Sequence, residues 1–180
     1  MDILNFLFPK ECILCSRIGN DICDSCIKKF SHTLPSCPIC NKVNMGYESH
    51  NECFDIKIHF FTGWYLSKDI EYKLLQKSIS SIYSPYTYLL DKLIDYLNIK
   101  DVIHNSTLLP LFVEDRNEYL INKRLVNHIK QKNPLNKNIL FVGYLLNSDK
   151  IVRDNLKRLP LWESFNISFL TLFKSIQMQE

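Results

Sequence analysis

The 180-residue chain carries 22 basic against 19 acidic side chains, and this net charge of +3 is too balanced to mark a nucleic-acid binder by itself. With 46% hydrophobic residues and no apolar run near the roughly 18 residues of a membrane-spanning helix, the composition predicts a soluble, globular chain. Only four glycines occur, at 19, 46, 63 and 143, so the residue that phosphate-binding loops depend on is scarce.

The first stretch, Met1 to Pro9, is apolar but too short for the core of an export signal, and it has an early acid where such signals carry basic residues. It is expected to pack against the first cysteine pair. All seven cysteines lie between residues 12 and 53. Six form three C-x2-C clamps, Cys12/Cys15, Cys23/Cys26 and Cys37/Cys40, and His50/Cys53 repeats the spacing. A C-x2-C turn aims both sulfurs at one point, where a tetrahedral Zn(II) accepts them at about 2.3 Å. Two clamps fill one tetrahedron, so four clamps predict two closed, structural zinc ions and no open coordination position for catalysis. A disulfide framework would call for an even cysteine count and an export signal, and the chain has neither. Zinc thiolates, together with an N-terminus that does not read as an export signal, predict a reducing cytoplasm. The wiring stays open, since sequential and cross-braced pairing of the clamps use the same ligands. One helical turn is expected at residues 27–30.

Beyond residue 55 the pattern changes. Ile56 to Phe61 alternates apolar and polar and is followed by Gly63 and Trp64-Tyr65-Leu66, which reads as a hairpin with Gly63 near its turn. Apolar residues recur at helical spacing over 69–82 and again over 86–98, with Pro85 between them. A short apolar run at 107–112 predicts a buried strand, 117–132 an amphipathic helix, 138–142 a buried strand, 148–159 a helix and 166–173 a last strand. Strands alternating with helices indicate parallel βαβ units in a doubly wound α/β domain, with ligand space at the strand C-termini. The expected organisation is therefore a zinc-ribbon module at 1–55 and an α/β domain at 56–180.

This order of parts, with Phe8-Pro9-Lys10-Glu11-Cys12-Ile13-Leu14-Cys15 as its most specific piece, resembles the ComF family, competence-associated proteins with a double zinc ribbon ahead of a phosphoribosyltransferase-like domain. His50 stands where the family has a cysteine, a conservative change for zinc. The resemblance implies a type I phosphoribosyltransferase-like fold, a doubly wound and mainly parallel sheet. It also implies three ribose-phosphate motifs. The main one, V-D-D-V-x-T-T-G-A-T, aligns with Val142 to Ile151, where Gly143 and Tyr144 occupy the places of the two acids. Asn147 and Ser148 replace the first two threonines and Asp149 the loop glycine, leaving a phosphate-loop remnant. The second motif keeps Pro110 and Asn122, and the third is reduced to Lys77 in an ambiguous register.

Without acids for the ribose or a glycine for the loop, no residue is assigned a catalytic role. The resemblance then implies a catalytically inactive phosphoribosyltransferase homologue acting as a binding or scaffold protein in competence and DNA uptake. Its partners would be proteins of the uptake machinery or single-stranded DNA, with Lys28, Lys29, Lys123, Arg124, Lys130 and Lys132 as candidate contacts. The alternatives are an active transferase using phosphoribosyl pyrophosphate, and a drifted structural interaction module.

Overall fold

Four apolar runs pair side by side into a single parallel sheet. A computed structural model of the chain describes residues 9–37, 39–40, 42–44, 47–54, 57–67, 69–74, 85–129, 137–146, 149–160 and 164–175. The strands are β1 (Ile58–Leu66), β2 (Thr107–Pro110), β3 (Asn138–Leu146) and β4 (Asn166–Ser175), in the order β1-β4-β3-β2 with every ladder parallel. Parallel strands are covered on both faces and so read as near-continuous apolar runs. In β3 every residue from Ile139 to Leu146 is buried.

The helices are α1 (Asp24–Ile27), α2 (Pro85–Leu97), α3 (Lys100–His104), α4 (Arg116–Ile129) and α5 (Asp149–Lys157), and residues 69–74 are also helical. Pro85 opens α2, where a missing N–H goes unnoticed. A Schellman turn closes it: Asn98 has φ 51°, its N–H donates to the Asp95 carbonyl, and the Ile99 N–H donates to the Ile94 carbonyl. Leu89, Leu90 and Leu93 of α2, Ile103 of α3, and Ile121 and Leu125 of α4 share one apolar cluster with Leu140, Val142 and Leu170 of the sheet. Val152 and Leu156 of α5 join Phe54, Ile58, Phe60, Phe141 and Phe169 in a second. Each such side chain, fully buried, stabilises the fold by about 1.5–3 kcal/mol.

The hairpin expected around Gly63 is instead one continuous strand. A Cβ on Gly63 would lie 2.7 Å from the Leu172 carbonyl oxygen and 3.0 Å from Leu93 Cδ1. This glycine permits close approach of β4 and α2, not a reversal of the chain. The free edge of β1 is covered by the cysteine-rich region. Thr33 N–H donates to Gly63 O and Tyr65 N–H to Ser31 O, while Phe60 N–H donates to Tyr47 O and Ser49 N–H to Ile58 O. Two short antiparallel segments thus cap the one sheet edge that would otherwise offer itself for pairing on the β1 side.

Three other differences are local. The first helical turn is Asp24–Ile27, directly after Cys23, rather than 27–30. β3 runs on through Leu146 instead of stopping at Val142. The short α3 has no counterpart among the expected elements, because five residues are too few to show a period. The apolar start at 1–8, residues 75–82 of the expected helix with Lys77, and Lys130 and Lys132 lie outside the described residues. Among the described residues, no helix is long and apolar enough to cross a membrane.

Candidate metal centres and the ligand end of the sheet

Both halves of the cysteine-rich region are built on one plan. Cys12 N–H donates to Arg17 O and Gly19 N–H to Lys10 O, closing a tight hairpin around the first clamp. Twenty-five positions later the same bonds recur, Cys37 N–H to Lys42 O and Asn44 N–H to Pro35 O. The bridges Glu11↔Ile18 and Ser36↔Val43 repeat at the same offset. The second clamps match as well. Cys26 and Ile27 N–H donate to Cys23 O, and Cys53 and Phe54 N–H donate to His50 O. His50 therefore occupies in the second half the place of Cys23 in the first.

The four clamps converge into two groups, Cys12/Cys15/Cys23/Cys26 and Cys37/Cys40/His50/Cys53, with all ligand atoms of a group within 4.8 Å of one another. The wiring is sequential, not cross-braced. In the second group His50 Nδ1 lies 3.2 Å from Cys40 Sγ. Four thiolates, or three with one imidazole, in a compact tetrahedral set form the donor chemistry of structural zinc. The chain has places for two zinc ions.

The electrostatics of the sulfurs follow the repeat. Burial pushes the Cys12 thiol up, but N–H groups of Cys23, Leu14 and Cys15 outweigh it and hold the pKa at about 6. At Cys37 burial is likewise outweighed, here by N–H groups of Cys40, His50 and Ile39, again giving about 6. Burial and neighbouring thiols push Cys26 and Cys53 the other way, to about 12. Like charges crowded into one set cannot all ionise unaided, and a divalent cation removes that conflict. The second group has a further neighbour that no local sequence pattern marks, Lys174 of β4. Its Nζ donates to Ser36 Oγ at 2.8 Å, and burial lowers its pKa while Cys37 and Cys40 act in the opposite sense.

The first zinc group is continuous with the core. Cys12, Ile22, Cys26 and Phe30 belong to the cluster that contains Trp64, Phe173 and the buried face of α2. Phe30 meets Trp64 and Phe173 edge-on at 6.1 and 6.2 Å, and His32 stacks on Tyr96 at 4.4 Å. Asp24 accepts from Tyr88 of α2 at 3.2 Å.

At the C-terminal end of β3, the positions matched to the ribose-binding acids are packed into the protein. A Cβ on Gly143 would lie 2.6 Å from Leu111 Cδ2 and 2.8 Å from Leu111 Cβ. Tyr144 is 1% exposed. Its ring lies 5.5 Å from that of Tyr86, and its hydroxyl donates to Glu118 Oε1 at 3.2 Å and to Glu71 Oε1 at 3.4 Å. Burial and then the carboxylates of Glu118 and Glu71 push the phenol far up.

Asn122, which the resemblance would put in the second motif, is a buried brace. Its Nδ2 donates to the Leu111 carbonyl at 2.7 Å and its Oδ1 accepts the Tyr144 N–H at 2.9 Å. Asn155 of α5, a polar residue that no motif singles out, grips Phe112 by both its N–H (2.7 Å) and its carbonyl (2.9 Å). Of the residues expected to form a phosphate-loop remnant, Asp149 is the first residue of α5, while Asn147 and Ser148 lie outside the described residues.

Residues 3–57 match the family described as the double zinc ribbon domain. This agrees with the two ligand groups, and the N-terminal region is a double zinc ribbon. No curated protein and no solved structure matches the chain.

Proposed function

We propose that the chain is a non-catalytic ComF-like protein, in which a phosphoribosyltransferase-like α/β domain serves as a scaffold and the double zinc ribbon is part of a binding surface used in DNA uptake. The order of the parts supports this reading, with a double ribbon directly followed by a parallel sheet wound with helices. The observation that carries the non-catalytic half is the burial of Tyr144 together with the packing of Gly143 on Leu111. Transfer of a phosphoribosyl group needs carboxylates that reach the ribose and its metal from the strand end. Neither position supplies one, and Tyr144 is held inward by hydrogen bonds at both its backbone and its hydroxyl.

The binding half is supported by solvent-exposed Lys28 and Lys29 after α1 and Lys123 and Arg124 on α4. Such residues favour a polyanion when they act together, and the affinity then falls steeply with salt as counterions return. Titration of the zinc-loaded chain with single-stranded oligonucleotide at rising salt tests this. Salt-sensitive binding that weakens in Lys28→Gln/Lys29→Gln is expected. Absence of binding at low salt would transfer the role to a protein partner or to an interaction module without a nucleic-acid ligand.

A further inference from the structure

The opposite end of the sheet holds a hollow of about 430 Å³, within the roughly 300–1,000 Å³ range of small-molecule sites. We propose that this hollow binds a nucleobase with an exocyclic amino group beside a ring acceptor, as on adenine or cytosine. The proposal deepens the DNA-binding reading and rests on it for the biological source of the base, though not for the pocket itself.

Three observations point to that chemistry. First, one wall is aromatic: His59 and Phe61, two apart on β1 and so on the same side of the strand, hold their rings within 7° of parallel with centroids 6.3 Å apart. Tyr47 backs Phe61 at 5.8 Å. Parallel ring faces accept a planar ring by stacking, whatever its sequence.

Second, the polar lining includes side-chain amides that hydrogen bonds hold in place. Asn138 and Asn166, the first residues of β3 and β4, are paired across the ladder. Asn166 Nδ2 donates to Asn138 Oδ1 at 2.9 Å, and Asn138 Nδ2 donates to the Asn105 carbonyl at 3.0 Å. These bonds orient both amides yet use only part of their capacity, since each carries two N–H donors and an oxygen with two lone pairs. A side-chain amide is the complement of a donor beside an acceptor, which is how Asn reads adenine. Ser168 adds a hydroxyl to the same lining.

Third, the charge is wrong for a phosphate. Among the described residues, no Lys or Arg lines the hollow, whereas Asp101 does. Asp101 disfavours an anion there, and the one lining side chain that can turn cationic, His59, has Glu48 Oε1 4.0 Å from its Nε2. The recognised part of a nucleotide is therefore its base, with any phosphate left outside.

The test uses the zinc-loaded full chain and deoxyadenosine, a probe that carries no phosphate, followed by NMR shift perturbation. Saturable binding in the millimolar range is expected, with shifts centred on His59, Phe61 and Asn166. His59→Ala and Asn166→Ala should each weaken it by about tenfold, the lower end of what loss of one stacking partner or one base contact removes, with zinc content unchanged. Lack of saturable binding, binding untouched by both substitutions, or equal binding of deoxyribose 5-phosphate would overturn the proposal.

Oligo(dA) and an abasic oligonucleotide separate the two sources of the base. If oligo(dA) binds better than the abasic strand and His59→Ala removes the difference, the base comes from DNA. If deoxyadenosine fills the hollow while oligo(dA) does not bind, the pocket stands with a free nucleoside as ligand, and the DNA reading fails. If oligo(dA) binds but is indifferent to His59→Ala and deoxyadenosine does not bind, the pocket fails while DNA binding stands.

Discussion

Asn122 accepts the backbone N–H of Tyr144 at 2.9 Å while its own amide donates to Leu111 at 2.7 Å, so one buried side chain ties α4 to the ends of β2 and β3. Asn122 is 1% exposed, and water cannot readily replace what it provides. Asn122→Ala should destabilise the chain by about 2–6 kcal/mol, because two buried backbone groups lose partners at roughly 1–3 kcal/mol each. Asn122→Asp should not rescue it, since a carboxylate can still accept from Tyr144 but has nothing to donate to Leu111. Urea unfolding followed by circular dichroism measures both.

The two metal sites should be separable. Elemental analysis of the purified chain should give two zinc ions per molecule, and each should contribute on the order of 10 kcal/mol to the folding of its ribbon. His50→Ala should lose the ion held by Cys37, Cys40 and Cys53 and retain the one held by Cys12, Cys15, Cys23 and Cys26. His50→Cys should keep both. Two ions at unchanged affinity in His50→Ala would show that another residue completes the second tetrahedron.

Removing zinc should be felt in the sheet, because the ribbon caps the β1 edge. The amides of Phe60 and Tyr65 point outward and donate to Tyr47 and Ser31. Chelation should accelerate hydrogen exchange at these two amides, while Leu140 and Leu170 in the buried strands stay protected. Equal protection of Phe60 and Tyr65 with and without metal would mean that the edge cap does not depend on zinc.

Glu118 gives a pH signature. Burial raises its pKa; the Tyr144 O–H acts against this, and the nearby Asp115 and Glu71 charges add to the rise. A carboxyl whose folded pKa exceeds its unfolded value of about 4.5 contributes stability below that value, and the contribution is lost as pH rises through the folded pKa. At neutral pH the charged form is therefore a burden. Glu118→Gln should be more stable than the parent at pH about 7, and the gain should shrink toward pH about 5. Urea midpoints with zinc content checked at each pH would show it.

The sequence makes the helical faces, the buried strands and the eight metal ligands legible because each leaves a local mark. Apolar spacing marks α2 and α4, and repeated two-residue gaps mark the clamps. The concealed features depend on neighbours far along the chain. Gly63 resembles a turn because a glycine between apolar runs has that meaning locally, while its reason lies in Leu172 and Leu93. Tyr144 stands where the resemblance would put a ribose-binding acid, but it shares an apolar cluster with Leu140 and Val142, the alternate residues of β3 before it, and that places it in the core. Clamp spacing cannot separate sequential from cross-braced wiring either. The convergence of the ligand atoms in space, Cys12 and Cys15 with Cys23 and Cys26, and Cys37 and Cys40 with His50 and Cys53, decides it.

The most direct test of the non-catalytic reading is calorimetric titration of the zinc-loaded chain with phosphoribosyl pyrophosphate and Mg(II). With Gly143 against Leu111 and Tyr144 inside the core, no binding at millimolar ligand is expected. Gly143→Asp should lower stability instead of creating a site, unless Leu111 is also made smaller. Tight, magnesium-dependent heat from the unmodified chain would contradict the account and establish a transferase site.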